Sequence, residues 1–236
     1  MSAVRPWAAG RAVPDPKWHL DIGGGDGTVL LNHGFLIESN NIWMQTGILR
    51  GLVATSHDVI TIWEHFVRKV GAQQALGHDA TLLLADVLAS TMDAAGRASY
   101  QIVSAHDGVP PSLIAALNDA RIERLVILHP PPQTLVAGSA VLSISPPAGP
   151  TAIELDLGLD CDHLHIDGSV PSEGLVLDVR EVSIPVLIIA NRAHQAGATE
   201  LARLIPRAAL ALTDEDVSTS TSSQRTVDAI TGFLST

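Results

Sequence analysis

The chain of 236 residues lacks the features on which several common functions depend. Cys161 is the only cysteine, which excludes an intrachain disulfide and a metal cluster held by several thiolates. Lys17 and Lys69 are the only lysines and the formal net charge is −11, so the clustered basic side chains that bind nucleic-acid phosphates are missing. No apolar run reaches the roughly 18 residues of a membrane-spanning helix. We therefore expect no nucleic-acid partner, no membrane partner and a cytoplasmic location.

Apolar side chains are abundant and make up 46% of the chain. This content predicts one large core and a single domain over residues 1–236. Short runs of Val, Ile and Leu alternate with longer segments at helical spacing, which predicts an α/β fold with a mainly parallel central sheet and helices on both faces. The predicted strands are 28–32, 59–62, 101–104, 125–128, 186–190 and 208–212, and the predicted helices are 80–95, 110–120, 197–205 and 224–234.

Residues 130–182 interrupt this alternation with a stretch rich in Pro, Gly, Ser and Asp. Loops of this length are usually functional or disordered, so we predict a lid or short cap. Within it, "DCDHLHIDG" (160–168) places His163 and His165 at alternate positions beside aspartates, which are ligand types of zinc and manganese. A polar lid edge is the simpler interpretation, and we predict no metal site.

The glycine-rich segment "DIGGGDG" (21–27) is similar to a phosphate-binding loop in composition only. It precedes a predicted strand and no helix follows it directly, so no helix N-terminus is available to a phosphate. We predict a hairpin turn here, and we expect no cofactor.

The segment "QIVSAHDGVPPSLIAALND" (101–119) reads as a strand, a sharp turn and a proline-started helix. In such an elbow the residues two before and two after the apex must be small, because strand and helix backbones nearly touch. Ser104 and Gly108 satisfy this rule around His106, whereas an apex at Asp107 would place Val109 at a tight position. The spacing therefore predicts His106 at the apex, where this architecture usually holds a nucleophile.

Four segments resemble the α/β-hydrolase superfamily in order and spacing across nearly the whole chain. They are "VLLNHGF" (29–35), "IVSAHDG" (102–108), "RIERLVIL" (121–128) and "IPVLIIANRAHQAGATELARLIPRAALAL" (184–212). The resemblance places His106 where the family has its nucleophilic serine and His194 where it often has its acid. No histidine follows the last strand, where the family has its base. It therefore implies a divergent member without the Ser-His-Asp triad, in which a serine-hydrolase mechanism is not expected.

The resemblance also implies an oxyanion-binding turn at His33, Gly34 and Phe35. In the family, the backbone N–H of the residue at Phe35 and that of the residue after the apex, here Asp107, hold developing negative charge. Backbone donors do not depend on side-chain identity, so this part of the site persists without the triad.

Histidines follow the predicted strands repeatedly. Ligands bind outside the carboxyl ends of parallel strands, and five of the ten histidines fall there, which predicts a histidine-lined pocket. The residues at these ends are His33, Glu64 with His65, His106 with Asp107, His129, and His194, with Asp214 and Asp216 after the last strand.

Each candidate also has a structural interpretation. His33 would orient its loop, His129 would close a strand before "PPP", and His194 would be a solvent-exposed turn residue. Asp107 would cap the helix that begins near Pro110. His106 would be left at the apex of an active site that has lost its activity.

Three functions remain open from the sequence. The first is a cofactor-independent lyase, isomerase or cyclase in which His106 is a general acid or base on a small apolar carbonyl compound, with Asp107 and His194 assisting. The second is a non-catalytic protein that binds a ligand or another protein. The third is an epoxide-hydrolase or dehalogenase type of hydrolase with Asp107 as nucleophile. A small-molecule substrate or ligand is the expected partner, and a homodimer is left open.

Overall fold

The computed structural model describes residues 17–25, 27–34, 43–62, 78–130, 133–136, 139–142, 175–214 and 224–236. The central sheet consists of β1 (Trp18–Asp21), β2 (Thr28–Asn32), β3 (Asp58–Ile62), β4 (Tyr100–Ala105), β5 (Ile122–Leu128), β9 (Val186–Asn191) and β10 (Ala208–Thr213). Its spatial order is β1-β3-β2-β4-β5-β9-β10. All neighbouring strands run parallel except β1, which is antiparallel to β3.

Five α-helices connect or flank these strands within the described residues. They are α1 (Ile48–Ala54), α2 (His78–Ala94), α3 (Val109–Asn118), α4 (Gln195–Leu204) and α5 (Gln224–Leu234). Because side chains alternate along a strand, the sheet has two apolar faces, and each face packs against its own set of helices. One core contains Leu30, Ile60, Ile102, Leu88, Leu113 and Leu201, which joins the sheet to α2, α3 and α4. The other contains Val29, Val59, Val103, Ile48, Leu52 and Ile230, which joins it to α1 and α5.

This architecture confirms the predicted α/β class, with a mainly parallel sheet between two helical layers. The six predicted strands and four predicted helices all overlap observed elements. Burial of the inner strands β2, β3, β4, β5 and β9 on both faces explains their nearly continuous Val, Ile and Leu content. In the central sheet and its flanking helices, β1 and α1 were not predicted from the sequence.

A second, three-stranded antiparallel sheet lies within the segment 130–182. It consists of β6 (Gln133–Val136), β7 (Ser139–Leu142) and β8 (Leu175–Leu177), in that spatial order. The role of this segment as a lid, and the assignment of the whole chain to one domain, stay predictions.

The hairpin predicted for residues 21–27 is wrong. β1 and β2 are not neighbours, because β3 lies between them, so the glycine-rich segment crosses the amino end of β3. The crossing is close: a Cβ on Gly23 would lie 2.2 Å from the carbonyl oxygen of His57, and one on Gly25 would lie 2.2 Å from that of Ser56. Glycine is therefore required here to let two backbones pass.

None of the helices in the described ranges combines the length and the apolar content needed to cross a lipid bilayer.

Candidate functional site

The sharp turn between β4 and α3 has the geometry expected of an elbow. His106 has a φ of +50°, a left-handed conformation that few non-glycine residues adopt. Gly108 follows in a short 3₁₀ turn, and a Cβ there would lie 2.6 Å from the carbonyl oxygen of Asn32 and 2.8 Å from the amide nitrogen of Gly34. Both observations confirm the prediction that His106 is the apex and that Gly108 occupies a tight position two residues later.

A chain of buried hydrogen bonds fixes this elbow to the end of β2. The Asn32 side-chain amide donates to the carbonyl oxygen of Gly108 at 2.8 Å and to Ser112 Oγ at 2.9 Å, and Ser112 Oγ donates to Ser104 Oγ at 3.0 Å. Asn32 Oδ1 also accepts from the backbone N–H of Gly34 at 3.2 Å. One side chain therefore holds the turn after β2 and the turn after β4 against each other.

Three of the predicted histidines come together at the carboxyl ends of β4, β5 and β9. The rings of His106 and His129 are stacked with their centroids 6.2 Å apart. The ring of His194 meets that of His129 edge-on, at a centroid distance of 5.6 Å. We call these three residues the histidine cluster. The ring of His129 neighbours both other rings, so three strand ends bring their histidines together.

His129 closes β5 through its backbone, and its ring lies in the histidine cluster. It directly follows β5, and its backbone N–H donates to the carbonyl oxygen of Ile189 at 2.9 Å, which closes the strand. It also has a φ of +47° and is almost completely buried. A buried histidine with a left-handed backbone conformation therefore contributes the middle ring of the histidine cluster.

His194 is oriented by a residue that the sequence analysis did not select, Asn191 at the end of β9. Asn191 Oδ1 lies 3.2 Å from the backbone nitrogen of His194 and 2.8 Å from its ring Nδ1. Asn191 is buried, whereas His194 is only partly buried. The side-chain oxygen of Asn191 therefore contacts both the backbone and the ring of His194.

Some of the other predicted site residues belong to the part of the chain that the structure describes, and the rest lie outside it. His33 is buried at the end of β2, and Gly34 beside it has a φ of +80°. Only the backbone of Asp107 is described. The other residues singled out in the sequence lie outside the described residues: Phe35, Glu64, His65, Cys161, His163, His165 and Asp216.

Several solved structures are similar to this chain in overall fold. The BpoC protein of Mycobacterium tuberculosis H37Rv, a proposed non-haem bromoperoxidase, has a TM-score of 0.62 and 11% identity, with 95% of this chain and 96% of that chain covered. A carboxylesterase structure from Nitrososphaera gargenis has a TM-score of 0.61 and 12% identity, with 92% and 94% covered. An α/β hydrolase from Sphaerobacter thermophilus has a TM-score of 0.55 and 17% identity, with 92% and 94% covered. No protein-family model and no curated protein sequence matches the chain.

The chain has the α/β-hydrolase fold. This confirms the fold implied by the resemblance of "VLLNHGF" and "IVSAHDG" to that superfamily. The TM-scores of 0.55–0.62 show the shared fold, and at identities of 11–17% the activity has to be argued from the site itself. The solved neighbours with this fold are mostly hydrolases.

Asp214 lies farther along the same edge of the α/β-hydrolase fold, after β10. It is exposed and forms an ion pair with Arg192, with 2.8 Å between Oδ1 and Nε. A cavity of about 190 Å³ lies beside it. Its lining residues are Ile189, Ala211, Leu212, Thr213, Asp214, Arg225, Thr226 and Ala229. The histidine cluster does not line this cavity, so the histidine-lined pocket stays a prediction.

Two ion-paired carboxylates, Asp58 and Asp119, lie at the opposite, amino edge of the sheet. Asp58, at the start of β3, accepts hydrogen bonds from the backbone N–H groups of Gly23 and Gly24 and from the guanidinium of Arg97. Burial alone would raise the pKa of Asp58, but these hydrogen bonds and the charge of Arg97 outweigh it, and the net pKa is lowered. This carboxylate fastens the glycine-rich crossing to the sheet.

A second charged group lies at the same edge, before β4 and β5. The Tyr100 hydroxyl donates to Asp119 at 2.9 Å, and Arg121 donates to the same carboxylate. Burial and the neighbouring negative charge of Asp119 raise the pKa of Tyr100 far above its usual range. Burial opposes ionisation of Asp119, but hydrogen bonds from Arg121 and Tyr100 lower its pKa overall. Both amino-edge groups are paired and serve the fold.

Within the described ranges, no group of three His, Cys, Asp or Glu side chains is arranged to bind a metal ion. The alternating His163 and His165 lie outside those ranges.

Proposed function

We propose that the chain is a cofactor-independent enzyme in which His106 acts as general acid or base on a small, largely apolar carbonyl compound. The observation that carries this proposal is the left-handed conformation of His106 at the elbow apex, with its ring in the histidine cluster. Strained backbone of this kind is concentrated at functional sites. An imidazole at the apex favours proton transfer over covalent catalysis by a hydroxyl, because it changes charge near neutral pH.

In the proposed mechanism, one imidazole of the histidine cluster removes a proton from the carbon next to the carbonyl group, and His106 is either this base or the acid that supplies the returning proton. The electron pair of that C–H bond forms a C=C bond, and the carbonyl π electrons move to oxygen to give an enolate. The backbone N–H groups of Phe35 and Asp107 are the proposed donors to this oxygen. Returning the proton to another atom gives an isomer, whereas expelling a substituent from the next carbon gives a lyase product.

Hydrolysis is the second candidate, and the solved structures with this fold favour it. The Nitrososphaera gargenis neighbour is a carboxylesterase. In this variant an imidazole of the histidine cluster would activate a water molecule that attacks an ester carbonyl. A nucleophilic Asp107 also belongs to this candidate, although the left-handed apex at His106 favours the histidine.

A panel of carbonyl compounds and esters, incubated with the wild-type protein, tests the proposal. Once a converted compound is found, His106→Asn is the informative variant, since asparagine tolerates a positive φ but does not transfer a proton near neutrality. We expect turnover to fall by about 100- to 10,000-fold with ligand affinity nearly unchanged. His19→Asn, at an exposed histidine of β1, is the control and should keep full turnover.

Two further results separate the alternatives. A covalent adduct on a serine after treatment with a fluorophosphonate, seen by intact mass, would contradict the proposal and indicate a serine-hydrolase mechanism. A compound that binds but is recovered unchanged, with the same affinity for His106→Asn, would instead indicate a non-catalytic binding protein. Ester cleavage without any serine adduct would favour the second candidate over the first. The cytoplasmic location expected from the sequence stays a prediction.

A further inference from the structure

The contact between Asn191 and His194 bears on which ring nitrogen of His194 carries a hydrogen. Asn191 Oδ1 faces two nitrogens of the same residue, the backbone nitrogen of His194 at 3.2 Å and its ring Nδ1 at 2.8 Å. Both distances are those of hydrogen bonds. Asn191 is buried at the end of β9, where β5 and β10 flank it in the sheet, so its side chain is a fixed point for the turn that follows.

The backbone nitrogen of His194 decides which atom of the Asn191 amide faces the turn. A backbone N–H can only donate, so the amide atom that faces it must be the oxygen and not the nitrogen. The same oxygen faces ring Nδ1, and an oxygen of this kind can only accept. Nδ1 must therefore carry a hydrogen. In a neutral imidazole only one nitrogen carries a hydrogen, so Nε2 holds the lone pair.

We propose that Asn191 is a positioning residue that fixes neutral His194 in its Nδ1–H tautomer and leaves Nε2 as the proton-accepting atom. Nε2 is across the ring from Nδ1 and faces away from Asn191. The ring of His129 meets that of His194 edge-on, with 5.6 Å between their centroids. The tautomer is a property of the folded protein, whereas its catalytic use rests on the proposed function.

The consequence for that function is a second acid–base group in the histidine cluster. His106 and His194 lie on either side of His129, with ring centroids 6.2 Å and 5.6 Å from it. A two-group isomerisation or elimination uses one group to remove a proton and another to supply one. A His194 whose lone pair is held on Nε2 meets the first requirement, which leaves His106 to act as the acid.

Nuclear magnetic resonance of the 15N-labelled protein tests the tautomer without a substrate. Long-range 1H–15N correlations distinguish a ring nitrogen that carries hydrogen from one that does not, and His194→Gln identifies the His194 signals by their loss. At a pH where His194 is neutral, we expect Nδ1 to have the shift of a protonated nitrogen and Nε2 that of an unprotonated one. The opposite pattern in the wild-type protein would overturn the proposal, whatever the variants do.

Variants at position 191 test the cause. Asn191→Ala and the larger Asn191→Leu remove the acceptor, so the Nδ1–H preference should be lost in whichever of them folds. Asn191→Asp keeps an acceptor and should retain it. Asn118→Ala is the matched control, because Asn118 donates to the Ile114 carbonyl at the end of α3, and it should leave the His194 signals unchanged. An unchanged Nδ1–H preference in a folded Ala or Leu variant would show that Asn191 is not the cause.

Activity measurements separate this inference from the proposed function. With an identified substrate, Asn191→Ala should lower kcat by about 10-fold or more, since the base atom is no longer held, whereas Asn191→Asp should restore much of it. If the tautomer result holds and no carbonyl compound or ester is ever converted, the proposed function is wrong and the positioning role stands. If turnover falls in His106→Asn but is unaffected by Asn191→Ala, the proposed enzyme function is supported and the role of Asn191 in catalysis is wrong.

Discussion

Two ion-paired carboxylates lie at the amino edge of the central sheet, whereas the buried polar groups described at the carboxyl edge are amides, hydroxyls and imidazoles. Asp58 with Arg97 and Asp119 with Arg121 lie at the amino edge. Asn32, Ser104, Ser112, His129 and Asn191 lie at or beside the carboxyl edge. An ion pair at the amino edge holds one charge state across the usual pH range. At the carboxyl edge, the imidazole of His194 is held by the uncharged amide oxygen of Asn191.

Backbone conformation separates the two edges as well. His106 and His129, at the carboxyl edge, both have positive φ. Ser56 is the third non-glycine residue with positive φ in the described part of the chain, and it lies in the turn before β3. His106 and His129 are neighbours with strained backbones and stacked rings. Strain of this kind persists only where the surrounding structure holds it in place, and it is concentrated at functional sites. The amino edge thus contributes to stability, and the carboxyl edge is the better place to look for function.

The largest effect on stability should come from Gly108→Ala. The new Cβ would lie 2.6 Å and 2.8 Å from two backbone atoms of the turn after β2, and neither atom is able to move as a flexible side chain would. We expect a loss of about 3 kcal/mol or more in the free energy of unfolding, because overpacking here forces the backbone to shift. Urea denaturation followed by circular dichroism measures it. An unchanged midpoint would mean that the elbow and the turn after β2 are not in contact.

Asp58→Ala should have the next largest effect and should depend on pH. Loss of hydrogen bonds to a charged group is expected to cost about 2 kcal/mol at neutral pH. The pKa of Asp58 is lowered in the folded state, so its contribution is complete above the unfolded pKa of about 4 and is lost as the pH falls through the folded pKa. The difference between wild type and variant should therefore shrink in acid. Unfolding curves at neutral and acidic pH check this, and a constant difference would contradict the amino-edge description.

Ser112→Ala should be less destabilising and independent of pH. It removes the hydroxyl that accepts from Asn32 and donates to Ser104, at a cost of about 1 kcal/mol. None of these three groups ionises in the usual range, so the difference from wild type should be the same at neutral and acidic pH. The free energies of unfolding of Ser112→Ala and Asp58→Ala, measured in the same buffers, quantify the difference between the two edges. A pH-dependent difference would show that the network is coupled to a titrating group.

Gly197→Ala should have the smallest effect, and of opposite sign. Gly197 lies in α4, and a Cβ there would meet no atom within 4 Å. Alanine should stabilise the protein by about 0.5–1 kcal/mol, because it reduces the conformational freedom of the unfolded chain and favours helix. The melting temperature should rise by a few degrees, in contrast to Gly108→Ala. A destabilised Gly197→Ala would indicate that α4 has a neighbour beyond the described residues.

The sequence was sufficient to predict six of the seven strands of the central sheet but not the edge strand β1. The inner strands β2, β3, β4, β5 and β9 are largely buried on both faces, so each is a recognisable run of Val, Ile and Leu. The partly exposed edge strand β10 was recognised from its Ala and Leu residues. β1 has no such run because it is a four-residue strand at the sheet edge. α1 contains Gly51, which lowers helix propensity, and the structure explains it: a Cβ at Gly51 would lie 2.2 Å from Val227 of α5. Sequence periodicity does not reveal contacts of this kind.

The site was partly predictable for a similar reason. Parallel strands end at one edge, so histidines after β4, β5 and β9 were expected to lie together, and the rings of His106, His129 and His194 do. The contributions of Asn32 and Asn191 were missed, because a side-chain hydrogen bond depends on tertiary packing. Asn191 did leave a local signal: an asparagine at a strand end, three residues before a histidine, is typical of a side chain that accepts from a nearby backbone N–H.

The positive φ of His106 and His129 also limits which side chains are tolerated at these positions. Glycine, asparagine and aspartate share histidine's tolerance of this conformation, whereas β-branched residues do not. In saturation mutagenesis selected for folding alone, both positions should therefore accept the first group and reject valine and isoleucine. Selection for turnover should narrow position 106 further, to histidine. The difference between the two accepted sets at each position would measure how much of its sequence is dictated by the backbone and how much by the imidazole.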